Sequence, residues 1–171
     1  MIDYRDAVVA DGPELDAMAV KVWRETFGHS APPADIEAYV AQGYGPNGTL
    51  IRDLADPHIR YRLATDDDAI VGYAKLVDPW LPKESIAPGG LQLAQLYIAA
   101  THHGRGVADV LMRWAIGAAV AWRANALYLT VWEGNARARR FYDKRGFVHM
   151  GDYAFKVGSQ LDRDLIMKLA L

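Results

Sequence analysis

The 171-residue sequence predicts a mixed α/β domain, a sheet of mixed strand direction flanked by helices. Three observations carry the prediction. Strand-like and helix-like runs follow one another in the order β-α-α-β-β-β-α-β-α-β, and strands in direct succession belong to hairpins rather than to a strictly parallel sheet. Clusters of Gly, Pro, Asn and Asp separate the runs at ordinary element lengths. Hydrophobic residues make up 51% of the chain and no repeat or low-complexity linker interrupts it, so residues 1–171 read as one domain with its own core.

Each element has a local reason. "IDYRDAV" (2–8) reads as a first strand. "DGPELDAMAVKVWRETF" (11–27) reads as a helix, capped by Asp11 with Glu14 three residues on and Pro13 in the first turn. Its apolar face is Leu15, Met18, Ala19 and Val22. "HSAPPADIEAYVAQGYGPNG" holds a short helix between breakers, and "TLIRDLAD" adds a helical turn or two. The tripeptide "NGT" (47–49) matches a glycosylation acceptor, but a glycine turn accounts for it better. "IRYRLAT" and "AIVGYAKLV" form a hairpin around the solvated turn Asp66–Asp68. After the Pro/Gly-rich loop 78–90, "LQLAQLYIAA" is a strand. Val107, Val110, Leu111, Trp114, Ala115 and Ala118 then mark one face of a helix. "ALYLTVW" (126–132) is a buried strand, "NARARRFYDKRGF" (135–147) a short helix stopped by Gly146, and "DLIMKLAL" (164–171) the last strand.

Composition excludes several functions. The net charge of −2 argues against a nucleic-acid binder that works by neutralising phosphates. With no cysteine there are no disulfides, thiolate metal sites or thiol nucleophile, which suits a reducing compartment. No apolar run resembles a signal peptide or reaches the ~18 residues of a membrane span, so the expectation is a cytoplasmic protein without a membrane partner. His29, His58 and His149 lack metal-ligand spacing, and neighbours such as His102 and His103 point apart on most backbones, so no metal is expected.

The stretch "THHGRGVADVLMRW" (101–114) carries the chemistry. Gly104 and Gly106 flank Arg105 where a strand hands over to a helix. A helix N-terminus presents unpaired N–H groups and partial positive charge, and phosphate oxygens fit there if the loop is bare. An ordinary tight turn explains the glycines equally well. The motif is not a P-loop, since no Gly-Lys-Ser/Thr follows, and not a dinucleotide fingerprint, since Asp109 stands where a third glycine belongs.

A second motif, "VWEGNARARRFYDKRGF", opens a helix at Asn135 and places Tyr142 two turns along it. Together the motifs resemble the GCN5-related N-acetyltransferase (GNAT) superfamily. "HGRGVA" (103–108) occupies its Gln/Arg-x-x-Gly-x-Gly/Ala signature, with His103 departing from the usual Gln or Arg. Asn135, Ala138, Phe141, Tyr142, Gly146 and Phe147 occupy its Asn-x-x-Ala-x-x-Phe-Tyr and Gly-Phe signature. "ETF" (25–27), "LYI" (96–98), "VWEGN" (131–135) and "DLIM" (164–167) further resemble the bacterial spermidine/spermine acetyltransferase (PaiA-like) branch.

The resemblance implies a mostly antiparallel sheet whose central strands, "LQLAQLYI" and "ALYLTVW", splay apart to admit acetyl-CoA. It implies that the diphosphate lies on the amides of Gly104, Arg105, Gly106, Val107, Ala108 and Asp109, beside His103. The pantetheine arm would pair with Leu96, Tyr97 and Ile98 as an added strand and meet Asn135, with Lys144 near phosphate. Tyr142 would face the departing sulfur as a hydrogen-bond donor, with core packing through its ring as the alternative. The amine must lose a proton, yet Gln92 and Gln95 stand where relatives often carry a glutamate; Glu133, beside the end of the opposite strand, is the candidate base, with a surface role for it and deprotonation through backbone carbonyls and ordered water as alternatives. Trp23, Glu25, Phe27 and Tyr39 are the candidate acceptor contacts, with Glu37 beside them; taken singly, each reads more readily as core or solvated surface.

The expected activity is acetyl transfer to the primary amine of a small molecule, a polyamine first. Alternatives are a protein N-terminus, a lysine or an aminoglycoside-like amine, or a non-catalytic acyl-CoA sensor. Members of this superfamily often pair as homodimers.

Overall fold

A computed structural model describes all 171 residues. Seven strands form one sheet in the order β1-β2-β3-β4-β5-β7-β6. They are β1 (Ile2–Asp6), β2 (Arg60–Asp66), β3 (Ala69–Val77), β4 (Leu91–Ile98), β5 (Ala126–Trp132), β6 (Val148–Val157) and β7 (Gln160–Ala170). Every neighbouring pair is antiparallel except β4 and β5, which run parallel. The helices are α1 (Gly12–Phe27), α2 (Pro33–Gly43), α3 (Thr49–Arg52), α4 (Val107–Ala121) and α5 (Ala136–Asp143). No helix is long and apolar enough to cross a membrane.

Strand alternation divides the core between the two sheet faces. On one face Leu76, Leu93, Leu127 and Leu129 pack against Leu111, Met112 and Ala115 of α4, joined by Tyr142 and Phe147. On the other, Leu63 and Tyr73 meet Leu15, Ala19 and Trp23 of α1. Each helix therefore buries the stripe that its apolar spacing marks out.

Several local expectations change. The chain from 148 to 157 is the edge strand β6, held by pairing with β7: Val148 and Met150 at its start are exposed, whereas Tyr153, Phe155 and Val157 alternate inward against the core. The last strand accordingly starts at Gln160. The first strand stops at Asp6, and a short 3-10 turn at Val9–Asp11 follows. Asp11 does not cap α1. Its carboxylate accepts from the Val8 N–H and from both Arg5 guanidinium nitrogens, each at 2.7 Å. Glu14 accepts from the Ile70 N–H at 2.7 Å, tying α1 to the sheet instead of closing a capping box. The β2–β3 turn places Asp67 and Asp68 at φ 48° and 65°, a geometry that Asp tolerates through local hydrogen bonding.

One irregularity positions the site. β4 and β5 pair only at Leu91↔Leu127 and Gln92↔Tyr128. Immediately beyond, the β3–β4 register skips Ala94, and a bulge of that kind bends the bulged strand. From Leu93 to Ile98 the β5-facing edge of β4 has no strand partner, and the sheet opens there into a V.

Candidate active site

A cavity of about 950 Å³ passes through this V and is lined from both faces of the sheet. On the α4–α5 side it meets Gly104, Gly106, Val107, Ala108, Asn135 and Tyr142. On the α1–α2 side it meets Trp23, Phe27, Tyr39, Trp132, Phe155 and Asp164. Leu93–Ile98 of β4 form the wall between them.

The first region is an amide cradle. Gly104 and Gly106 sit at φ 75° and 81°, where a non-glycine residue costs about 1–2 kcal/mol. A Cβ at either position would meet no atom within 4 Å. The glycines thus answer a conformational need, and the space above them is open. The N–H groups of Gly104, Gly106, Val107 and Ala108 have no acceptor in the chain. Those of Arg105 and Asp109 are bonded to the carbonyls of His102 and Gly106. Four free donors at the head of a 15-residue helix make an anion site suited to phosphate.

Neighbouring side chains hold the cradle in place. His103 donates from Nε2 to the Ile98 carbonyl at 2.9 Å, clamping the loop to the end of β4. Arg137 donates to Nδ1 of the same ring at 2.5 Å and brings a cation to the rim. His102 and Arg105 both reach Asp66, which also receives the amino terminus. Arg145 pairs with Asp109 and so fastens the end of α5 to the start of α4.

Tyr142 lies on α5 with its ring edge-on to Phe141 and Phe147. Its hydroxyl makes no hydrogen bond within the chain. Burial pushes its pKa well above the usual tyrosine range. It remains protonated at neutral pH and so keeps an O–H to donate. The Asn135 side chain caps α5 by accepting from the Ala138 N–H at 3.1 Å, leaving its amide NH₂ free to donate toward the cavity.

The second region is an aromatic chamber with acidic members. Trp23 stacks on Tyr39 at 4.7 Å, Phe27 meets Trp132 and Phe155 at 6.3 Å, and Tyr39 meets Phe155 edge-on at 5.6 Å. Trp80 lies over Tyr153 at 5.4 Å. Asp164 stands among them on β7, opposite Trp132 and Tyr153, with 8% of its surface exposed. Burial raises its pKa to about 6, the Asp162 charge adds to this, and the Thr130 hydroxyl offsets part of it. Glu25 also lines the cavity.

The acetyltransferase (GNAT) family profile matches residues 17–147. The chain is 32% identical to an uncharacterized N-acetyltransferase of Mycobacterium tuberculosis over 93% of this chain and 97% of that one. The chain belongs to the acetyltransferase (GNAT) family. Its fold is similar to that of the PaiA N-acetyltransferase of Thermoplasma acidophilum in complex with coenzyme A, with TM-score 0.77, 21% identity, and 100% and 99% of the two chains covered. It is also similar to the ribosomal-protein-alanine N-acetyltransferase of Brucella melitensis, with TM-score 0.70, 22% identity and 99% of each chain covered.

In this N-acetyltransferase the residues expected from sequence do not all converge. Leu96, Tyr97, Ile98, His103, Gly104, Gly106, Val107, Ala108, Asp109, Asn135 and Tyr142 line the cavity, as do Trp23, Glu25, Phe27 and Tyr39. Arg105 is drawn aside to Asp66, and Lys144 lies exposed beyond the end of α5; neither lines it. Glu37 is tied to Arg24 at 2.5 Å on the surface. Glu133 is placed elsewhere than its expected role requires. It follows Trp132 and sits outside the cavity, with Arg163 held at 2.9 Å. Arg137, Trp80, Phe155 and Asp164 are members that sequence reading passes over. Asp164 leaves one trace: an acid directly ahead of the apolar run Leu165–Met167, on a strand that is otherwise buried there.

Proposed function

We propose that this enzyme transfers acetyl from acetyl-CoA directly to the primary amine of a small cationic molecule, with polyamines as the leading acceptors. The observation that carries the proposal is the single cavity crossing the sheet, with an amide cradle on one face and an aromatic chamber containing a buried carboxylate on the other. Acetyl-CoA supplies an activated thioester. Its diphosphate suits the four free amides, and its pantetheine arm suits the unpaired edge of β4 as an added strand.

The chain's own groups divide the remaining work. Backbone N–H groups along the open edge of β4 polarise the thioester carbonyl. Tyr142, on the α5 side, donates a hydrogen bond to the sulfur as negative charge develops on it. With a tyrosine pKa above 10 against ~8.5 for a thiol, complete proton transfer to free thiolate is uphill by at least about 2 kcal/mol, so donation rather than full transfer is its role. The amine approaches from the α1–α2 side, where aromatic faces favour a cation. Direct transfer needs no covalent enzyme intermediate, in keeping with a chain that has no cysteine.

The test is release of CoA thiol from acetyl-CoA with spermidine, spermine, putrescine, a lysine peptide and an aminoglycoside. Release driven by the polyamines supports the reading. Release only with the peptide moves the acceptor to protein amines. CoA binding without release by any amine points to a sensor.

A further inference from the structure

We propose that Asp164 receives the acceptor: its carboxylate holds the incoming ammonium and takes the proton that must leave before the nitrogen can attack. This rests on the acetyl-transfer reading above and assigns the base which that reading needs.

Asp164 has the position for this role. Val131 and Leu165 face the α4 core, so by strand alternation Trp132 and Asp164, paired across β5 and β7, face the opposite side. That is the side of Phe27 and Tyr39. Asp164 therefore looks into the chamber one strand spacing, about 5 Å, from the β5 edge of the gap. Tyr142 lies beyond the gap on the other face. Nucleophile and departing sulfur would occupy opposite sides of one carbonyl carbon. Glu133 has the reverse placement, beside Arg163 and Asp152 outside the cavity.

Asp164 also has no cation of the chain's own. It makes no ion pair. The cation on β3, Lys75, is held by Asp53 at 2.6 Å, and Arg163 is shared between Glu133 and Asp152. The other titratable groups facing this space are Tyr39 from α2, Tyr44 just after it, Tyr97 from β4, Tyr153 from β6, Glu25 from α1 and Asp162 from its own strand. None is cationic. An unpaired buried carboxylate is costly, and an ammonium from outside is the partner that relieves it. The walls of Trp132, Tyr39 and Phe27 add cation–π attraction for the same charge.

The step balances without another reactant. A proton passes from the ammonium to an Asp164 carboxylate oxygen as the freed lone pair forms the N–C bond to the acetyl carbonyl carbon; between an amine near pKa ~10.4 and a carboxyl at about 6 the transfer alone is unfavourable, and bond formation draws it forward. The C–S bond breaks, and its electron pair leaves on sulfur against the Tyr142 hydroxyl. The second proton lost by nitrogen ends on the thiol, and Asp164 returns its own proton to solvent. The carboxylate acts ionised. With a pKa raised to about 6, it is ready at neutral pH and lost as pH falls below that value.

The test compares wild type, Asp164→Asn and Asp164→Glu. One measurement is kcat/KM with spermidine from pH 5 to 9. The other is spermidine binding, followed by fluorescence of Trp23, Trp80 and Trp132, which line the cavity. Asp164→Asn should lower kcat/KM about 100-fold or more and abolish the fall in rate below about pH 6. It should also weaken the spermidine signal while leaving CoA affinity within about twofold, and Asp164→Glu should recover part of the rate. Unchanged kcat/KM and spermidine affinity in Asp164→Asn overturn the assignment while the acetyl-transfer reading stands. Wild-type protein that neither binds nor acetylates any amine of the panel overturns both.

Discussion

Replacing Gly106 tests the amide cradle with two variants that differ by one charge. Both Gly106→Asn and Gly106→Asp force a side chain onto φ 81°, which Asn and Asp tolerate better than most residues. A Cβ there meets no atom within 4 Å, so no packing term is added. Each variant should lose about 1 kcal/mol of stability, or roughly 2–4 °C in Tm for a chain of this size. Binding should separate them. Take about 5 Å between the introduced carboxylate and a phosphate bound over these amides. Two unit charges at that distance, with an effective dielectric near 20, repel by about 3 kcal/mol, roughly a hundredfold or more in Kd.

The assay is calorimetric titration of CoA into wild type and both variants. A parallel titration with pantetheine, which has the arm without the diphosphate, provides the control. Gly106→Asp should weaken CoA far more than Gly106→Asn does, and leave pantetheine nearly untouched. The difference should shrink at 0.5 M salt, where the Debye length falls to about 4 Å. Equal CoA affinity for the two variants would refute the claim that phosphate lies over these amides. A matching loss for pantetheine would show that the substitution distorts the loop itself.

Four further outcomes follow from the same geometry. Tyr142→Phe removes only the free hydroxyl, so kcat should fall about 100-fold with CoA affinity unchanged in calorimetry. Asn135→Ala removes the α5 cap, at about 1 kcal/mol by thermal unfolding, and the amide donor with it, so CoA affinity should drop as well. Glu133→Gln touches a solvent-facing ion pair outside the cavity, and its pH–rate profile should overlay that of wild type. The folded pKa of Asp164, about 6, exceeds the unfolded value near 3.9, so its protonated form favours folding below about pH 4 and this advantage is lost as pH rises through 6. Asp164→Asn should therefore raise Tm at pH 7 by more than at pH 4, measured by calorimetry.

What the sequence displays depends on how local its cause is. The cradle is legible because its demands are local: positive φ at two positions and a helix start immediately after. Tyr142 and Asn135 are legible because one short helix fixes their relation. β6 is obscure because a register shift between His149 and Gly151 puts the exposed Val148 and Met150 out of phase with the inward Tyr153, Phe155 and Val157, so no single alternation runs through it. Asp11 and Glu14 fit a capping box, but Arg5 and the Ile70 N–H, both outside the helix, take their carboxylates. Asp164 and Glu133 show the same limit at the site. Asp164 lies within β7 and Glu133 just past the end of β5, and only the pairing of Trp132 with Asp164 tells that Asp164 looks into the chamber.

The V between β4 and β5 also governs the order of events. On the proposed reading the two reactants reach the carbonyl from opposite faces of the sheet, and neither has to leave before the other arrives. Double-reciprocal plots of initial rate at several fixed acceptor concentrations should therefore intersect rather than run parallel. A single molecule joining an amine to the CoA sulfur through an acetyl bridge would thread the gap and occupy both halves at once. Its binding would benefit from effective concentration, since docking one end delivers the other to its own half. The open seam in the sheet thus defines the shape of a selective inhibitor as well as the path of the acetyl group.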